Sequence, residues 1–377
     1  MTTPLNARIH LGDAGEILAA VPHLLGFTPT GSLVLLGLRT DGDLGTFCLT
    51  LRIDLPPPEH RRSVIDYLSA GPMVRRGADR VIVVAVGPDG GGGHGPPGGE
   101  PEPSADAHAE PDRGARSEPD ESEVDDDVPH RELILLLREG FAAAGIDVLH
   151  EIWADRLVAG GPWRCYDDPP CRGEIPDPKR TALSAAMAAS GSVTFDSRRE
   201  LQDLVAPESE RTTARWAARL NSLLEDAERD GTDVHDDVAT AFAGIRRTAA
   251  GEALTEDDQL RVLLALNDQR VRDLCLGVAL GESAMAAEQL WLSLVRKAPE
   301  PEVADVAALL AFSAYLRGEG AMASVALERV EAARPEHSLG TLLRQALERG
   351  ISPKELSEVA KDAMTDAQLM IEVEESS

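Results

Sequence analysis

Aromatic residues make up only 3% of this 377-residue chain, which leaves few platforms on which nucleic-acid bases could stack. Lysine is almost missing: of 37 basic residues only Lys179, Lys297, Lys354 and Lys361 are lysines, and no basic patch offsets a formal net charge of −28. Such a field repels nucleic acid and anionic lipid. No apolar run approaches the ~20 residues that a membrane-spanning helix needs. The N-terminal stretch, with Pro4, Arg8 and Asp13, lacks the charged-then-apolar pattern of an export signal. Four cysteines, Cys48, Cys165, Cys171 and Cys275, are too sparse for a disulfide scaffold. The expectation is a cytoplasmic protein with no nucleic-acid and no membrane partner. Its oligomeric state stays open.

Several kinds of chemistry are also missing. There is no Ser/His/Asp arrangement, HExxH motif, dinucleotide glycine fingerprint or nucleophile elbow. The segment Gly26-x4-Gly31-Ser32 looks like a phosphate loop, but Ser32 stands where the lysine belongs and an apolar strand follows where a helix is required. Pro29 and Gly31 read instead as a turn that leads a helix into a strand. No cofactor or metal is expected, and whether the chain is an enzyme is left open.

What is present supports two domains, since 377 residues exceed one ordinary core and 43% are hydrophobic. Asp13 followed by Glu16 predicts a capped helix over 14–21, ended by Pro22. A buried strand is expected over 33–38, a hairpin turn at 40–43, a second strand over 45–53 and a helix over 59–70. "RVIVVAV" at 80–86 is nearly continuous and β-branched, and therefore reads as a central strand. A helix over 130–144, a strand over 147–153, a further strand within "RLVAGGPWRCY", an irregular piece to Pro178 and a helix over 180–189 complete the first part. The expected fold is an α/β domain, 1–206, with a mixed sheet, a hairpin and flanking helices.

Residues 88–129 interrupt this pattern with eight glycines, eight prolines and thirteen acidic residues against two arginines. A segment of that kind buries too little apolar surface to offset its ordering entropy, so it is expected to be a disordered insertion in a surface loop. Residues 207–365 read as an all-helical domain, with capping boxes at Thr255/Asp258 and Ser352/Glu355, followed by an acidic disordered tail over 366–377. Ala307, Leu310, Ala311, Gly318, Ala323, Leu327 and Pro335 fit much of a tetratricopeptide template, although its tyrosine falls one place late at Tyr315. A tetratricopeptide-like array and an ordinary helical bundle both remain open.

Two constellations are candidate sites. Arg52 and Asp54 alternate at a strand end, where α/β sheets often bind ligands, although a structural ion pair, or Asp54 capping the proline turn, is the simpler account of them. Trp163, Cys165 and Cys171 form a C-x5-C segment without a second cysteine pair. It reads either as a metal or redox site or as buried thiols, with a disulfide disfavoured in a reducing compartment.

In order along the chain, "LGDAGEILAAVPHLLGFTPTGSLVLLGL", "RIDLP", "W-R-C-Y-x4-C-R-G", "VRDL" and "AALLAFSAYLRGEGAMASVALERV" resemble an actinobacterial family known only as a domain of unknown function, family 4192. The resemblance covers most of the chain outside 88–129. That family often carries an acidic residue where this chain has Gly31, and adjacent cysteines before a proline where this chain has Cys171-Arg172. Both departures count against a phosphate loop and a metal cluster here. The resemblance implies lineage and fold, and no activity. The expected function is a non-catalytic binding or scaffold protein with a protein partner on its helical half. The alternative is a small-molecule enzyme or sensor with its site at the strand ends.

Overall fold

The computed structural model describes residues 13–41, 44–88, 128–189, 191–231 and 233–375. The tip of the expected hairpin turn and nearly all of the expected acidic insertion lie outside the described residues.

The first half is built on a six-stranded mixed sheet in the order β2-β1-β3-β4-β5-β6. The strands are β1 (Ser32–Asp41), β2 (Leu44–Asp54), β3 (Arg80–Val86), β4 (Asp147–Ala154), β5 (Pro162–Cys165) and β6 (Arg172–Glu174). Only β3 and β4 run parallel, joined by the crossover that contains helix α4 (Arg131–Ala143), whose numbering follows α1 (Ala14–Leu25), α2 (Arg61–Ala70) and α3 (Pro72–Arg75). Period-2 alternation divides β1 and β3 between two cores. Leu33, Leu35, Val81 and Val83 face α2 and α4 with Leu68, Leu137 and Phe141. Val34, Leu36, Ile82 and Val84 face α1 with Leu18 and Val21. That double burial is why "RVIVVAV" carries no polar residue after its first position.

The expected end of α1 at Pro22 is corrected. The helix runs on to Leu25, with Pro22 inside it and Gly26 at φ +82° closing it. Pro22 removes one donor from the ladder, a loss that tertiary contacts offset here. Next to it, the buried His23 ring bonds Thr194 Oγ1 at 2.8 Å and the Pro178 carbonyl at 2.7 Å, which fastens the last turn. The irregular piece before Pro178 contains β6, a three-residue strand too short to leave a periodic signal.

At the end of the sheet where β3 stops, backbones crowd. Gly31 N–H donates to the Gly87 carbonyl at 2.6 Å, and Leu55 N–H donates to the Gly31 carbonyl at 3.0 Å. A Cβ on Gly87 would sit 2.7 Å from the Asp155 carbonyl oxygen. Gly87→Ala is therefore expected to cost about 1–3 kcal/mol through forced backbone shifts, read as a lower midpoint in urea unfolding. An unchanged midpoint would show that this end of the sheet yields freely.

The second half is helical: α5 (Ala182–Ala189) leads to α6 (Arg198–Val205), α7 (Glu210–Asp230), α8 (Val234–Ala249), α9 (Glu256–Ala265), α10 (Gln269–Val278), α11 (Ala284–Val295), α12 (Val303–Leu316), α13 (Gly320–Ala333), α14 (Ser338–Glu348) and α15 (Pro353–Glu375). Both expected capping boxes are formed, at Thr255/Asp258 and at Ser352/Glu355. Residues Val303 to Tyr315 of α12 are buried all round, so α12 is the axis of this half. The segment fitted to the repeat template is a packed helix pair, α12 and α13, turned at Gly318 with φ +81°.

The helical core reaches back into the first half. Beside Leu201 and Val205 of its own α6, it takes in Phe27 of the first half, which is 4% exposed. Phe27 forms a parallel bridge with Phe195, where Thr28 N–H donates to the Phe195 carbonyl at 3.0 Å and Phe195 N–H to the Gly26 carbonyl at 2.9 Å. "GFTP" is thus one place where the two halves are fastened. The expected disordered tail from 366 is also corrected. Helix α15 continues to Glu375 because Ala367 and Ile371 extend the buried line of Leu356 and Ala360 at helical spacing.

Candidate functional site

Arg52 and Asp54 come together as an ion pair. Arg52 Nη2 lies 2.6 Å from Asp54 Oδ1, and Arg52 Nε donates to the hydroxyl of the buried Ser32 at 2.8 Å. Asp54 is largely exposed, at 83% of its side chain, so this pair contributes little stability, and it is the Arg52–Ser32 hydrogen bond that ties β2 to β1.

Trp163, Cys165 and Cys171 lie on the opposite side of the sheet. Register places Arg52 beside Val34, Val34 beside Val84, Val84 beside Ile152 and Ile152 beside Cys165. Four strand spacings of about 4.8 Å separate the two constellations by roughly 19 Å. They share a row of the sheet but no pocket.

Cys165 and Cys171 are joined as a disulfide, which corrects the expectation of free thiols. The reason is local. The antiparallel β5–β6 pairing and the hydrogen bond from Cys165 N–H to the Cys171 carbonyl, 2.8 Å, bring the Cα atoms to 5.5 Å. That separation suits a disulfide without backbone movement. The Trp163 indole lies against Gly173, whose Cβ would meet the ring at 3.0 Å, so glycine is needed for the ring to stack there. Among the described residues no group of three or more His, Cys, Asp or Glu is placed to hold a metal ion.

The middle of this segment forms a groove with α4. Two adjoining cavities, of about 280 Å³ and 520 Å³, share Arg138, Glu151 and Asp167. The larger adds Arg131, Leu135, Tyr166 and Pro169. Glu151 is buried at the floor and bonded by both Nε and Nη2 of Arg138, and Asp167 lies 4.0 Å from the same guanidinium. Bonding to Glu151 raises the Arg138 pKa further above its ordinary value, so the guanidinium stays charged and fixed. Arg131 donates to the Tyr166 carbonyl at 3.1 Å, while Tyr166 donates to the Pro129 carbonyl at 2.6 Å. Burial pushes the Tyr166 phenol well up, so it is a donor and not a base. No motif in the sequence sets Glu151 apart from the other charges around β4. The available signal was an acidic residue at the start of the buried part of a strand, with two arginines seven positions apart on one face of α4.

A second buried network went unseen. Asp305 on α12 is 2% exposed at its side chain and is held by Arg272 of α10, Arg334 and His337. Gly340 N–H donates to His337 Nδ1 at 3.1 Å, which leaves Nε2–H to donate to Asp305 Oδ1 at 2.9 Å. The imidazole therefore caps α14 with one nitrogen and ties α12 with the other. Its burial closes it to substrate. Burial also pushes the Cys275 thiol up to about 12, which makes it inert.

These features define a class: a mixed α/β sheet domain fastened to a helical bundle, with buried polar groups committed to structural partners. The chain belongs to the family described as a domain of unknown function, DUF4192, which matches residues 15–354. No curated protein and no solved structure matches it. Among the described residues no helix is long and apolar enough to cross a membrane.

Proposed function

We propose that this is a non-catalytic, cytoplasmic binding or scaffold protein whose helical half holds a protein partner. The observation that carries this reading is the set of exposed apolar side chains on the last helix, α15. In the helical half Leu280, Met285, Leu342, Val359, Leu369 and Met370 are exposed from the end of α10 onward, besides Val193 between α5 and α6. Helix α15 bears three of them, with Val359 and Met370 about three turns apart on one side of the helix, flanking its buried line. Large exposed apolar groups in a chain of net charge −28 mark a contact surface more readily than a solubility device. A tetratricopeptide-like stacking of α12 and α13 would suit that role, since helical repeats present extended binding faces.

Affinity capture from the native host at near-native expression tests the proposal. The expected result is one reproducible partner, and its absence would remove the reading. A second reading rests on the α4 groove, because Tyr166, Asp167 and Pro169 belong to the Trp163–Cys171 segment that the small-molecule alternative requires. On that reading a metabolite screen raises the melting temperature by mass action. A silent screen would leave the groove as a structural seam.

A further inference from the structure

We propose that Cys165 and Cys171 form a reversible thiol–disulfide site, oxidised by a low-molecular-weight disulfide, that clamps the loop forming one wall of the α4 groove.

The two sulfurs differ in access. Cys165 is 4% exposed, whereas Cys171 is half-buried at the mouth of the loop. Cys171 is therefore the sulfur that meets an incoming reagent. Its thiolate attacks the reagent disulfide RS–SR, forming the Cys171–SR bond and expelling one RS⁻, which takes up the proton that Cys171 gave. Cys165, once deprotonated, then attacks the Cys171 sulfur. The Cys165–Cys171 bond forms, the mixed disulfide breaks and a second RSH leaves. The sum is two protein thiols plus RSSR giving one protein disulfide plus two RSH, a two-electron exchange. The remaining cysteines do not compete well: burial raises both the Cys275 and the Cys48 thiol, and Cys275 is enclosed.

A disulfide across a sequence separation of 6 closes a short loop, so its entropic contribution lies at the low end for such bonds. The loop is also held without it. Arg131 bonds the Tyr166 carbonyl, Tyr166 bonds the Pro129 carbonyl, Tyr166 N–H donates to the Glu151 carbonyl at 2.9 Å, and Cys171 N–H donates to the Asp168 carbonyl at 2.8 Å. Reduction therefore leaves the fold standing and loosens the segment that carries Asp167 and Pro169 into the groove. A bond that the fold does not need, with one reachable sulfur, is suited to exchange.

The test uses the full-length protein, equilibrated natively in buffers of varied reduced-to-oxidised glutathione ratio, then alkylated and mapped by mass spectrometry. The expected result is that Cys165 and Cys171 gain and lose alkylation together as the ratio changes. Hydrogen exchange over 166–171 should quicken in the reduced form while the helical half is unchanged. Cys165→Ser should accumulate glutathione on Cys171, while Cys171→Ser should leave Cys165 unmodified. An alkylation pattern that stays constant across all ratios, whether fully reduced or fully oxidised, would overturn the proposal. So would equal glutathione uptake by the two variants.

Discussion

Asp305→Ala is expected to destabilise the protein by about 3–5 kcal/mol, the range seen when one member of a buried ion network is removed and the others keep their charge. Arg272, at 11% side-chain exposure, would lose its partner inside the bundle, and His337 would lose the acceptor for its Nε2–H. For a unit of this size that corresponds to a fall in melting temperature of roughly 6–20 °C.

The same carboxylate makes stability depend on acid. Desolvation alone would raise the Asp305 pKa, but the hydrogen bond from His337 and the Arg272 and Arg334 guanidiniums outweigh it and hold the group below its ordinary value. The folded pKa thus lies below the unfolded value of about 3.9. The contribution is complete above that unfolded value and is lost as pH falls through the folded one. Wild-type protein should therefore lose stability below about pH 4 more steeply than Asp305→Asn, which has no such proton to take up. Parallel acid profiles for the two would show that Asp305 is not held as an anion.

Phe27→Ala is expected to cost about 3–5 kcal/mol, because a fully packed aromatic side chain leaves a cavity that its surroundings fill only in part. Its particular effect is on cooperativity. Phe27 sits at 4% exposure in the helical core while its backbone belongs to the turn entering β1, so it joins the two halves. Trp216 and Trp291 report on the helical core, and Trp153 on the sheet. In wild-type protein single-tryptophan probes of the two halves should give coincident urea transitions, whereas Phe27→Ala should separate them. Coincident transitions at an unchanged midpoint would mean that other contacts, such as Tyr67 Oη donating to the Glu348 carbonyl at 2.7 Å, join the halves without it.

How much of this could be read from the chain alone depended on the range of the interaction. The central position of β3 was legible because a strand buried on both faces has no polar alternation to hide. The capping boxes were legible because both partners fall within one turn. The Arg52–Asp54 ion pair was legible too, since residues two apart on a strand share a face. Local propensity favours a stop at Pro22, whereas the ring of His23 holds the turn through residues far along the chain. The disulfide is not legible in the sequence because the β5–β6 hairpin that sets the distance leaves no periodic signal in so short a strand. Asp305 gave no signal, as its partners are scattered from Arg272 to His337 and meet only after the bundle has packed.

The proposed partner surface on the helical half is tested most directly by quantitative affinity capture with surface variants of unchanged melting temperature. Leu369→Ser combined with Met370→Ser removes two exposed apolar side chains from α15, and Leu135→Ser removes one of comparable exposure from α4 as a control. Burial of even one such side chain contributes about 1.5–3 kcal/mol, so the α15 double variant should lose at least about tenfold in partner captured. The control should capture as much as wild type. Equal capture by all three proteins, or loss confined to Leu135→Ser, would contradict the account.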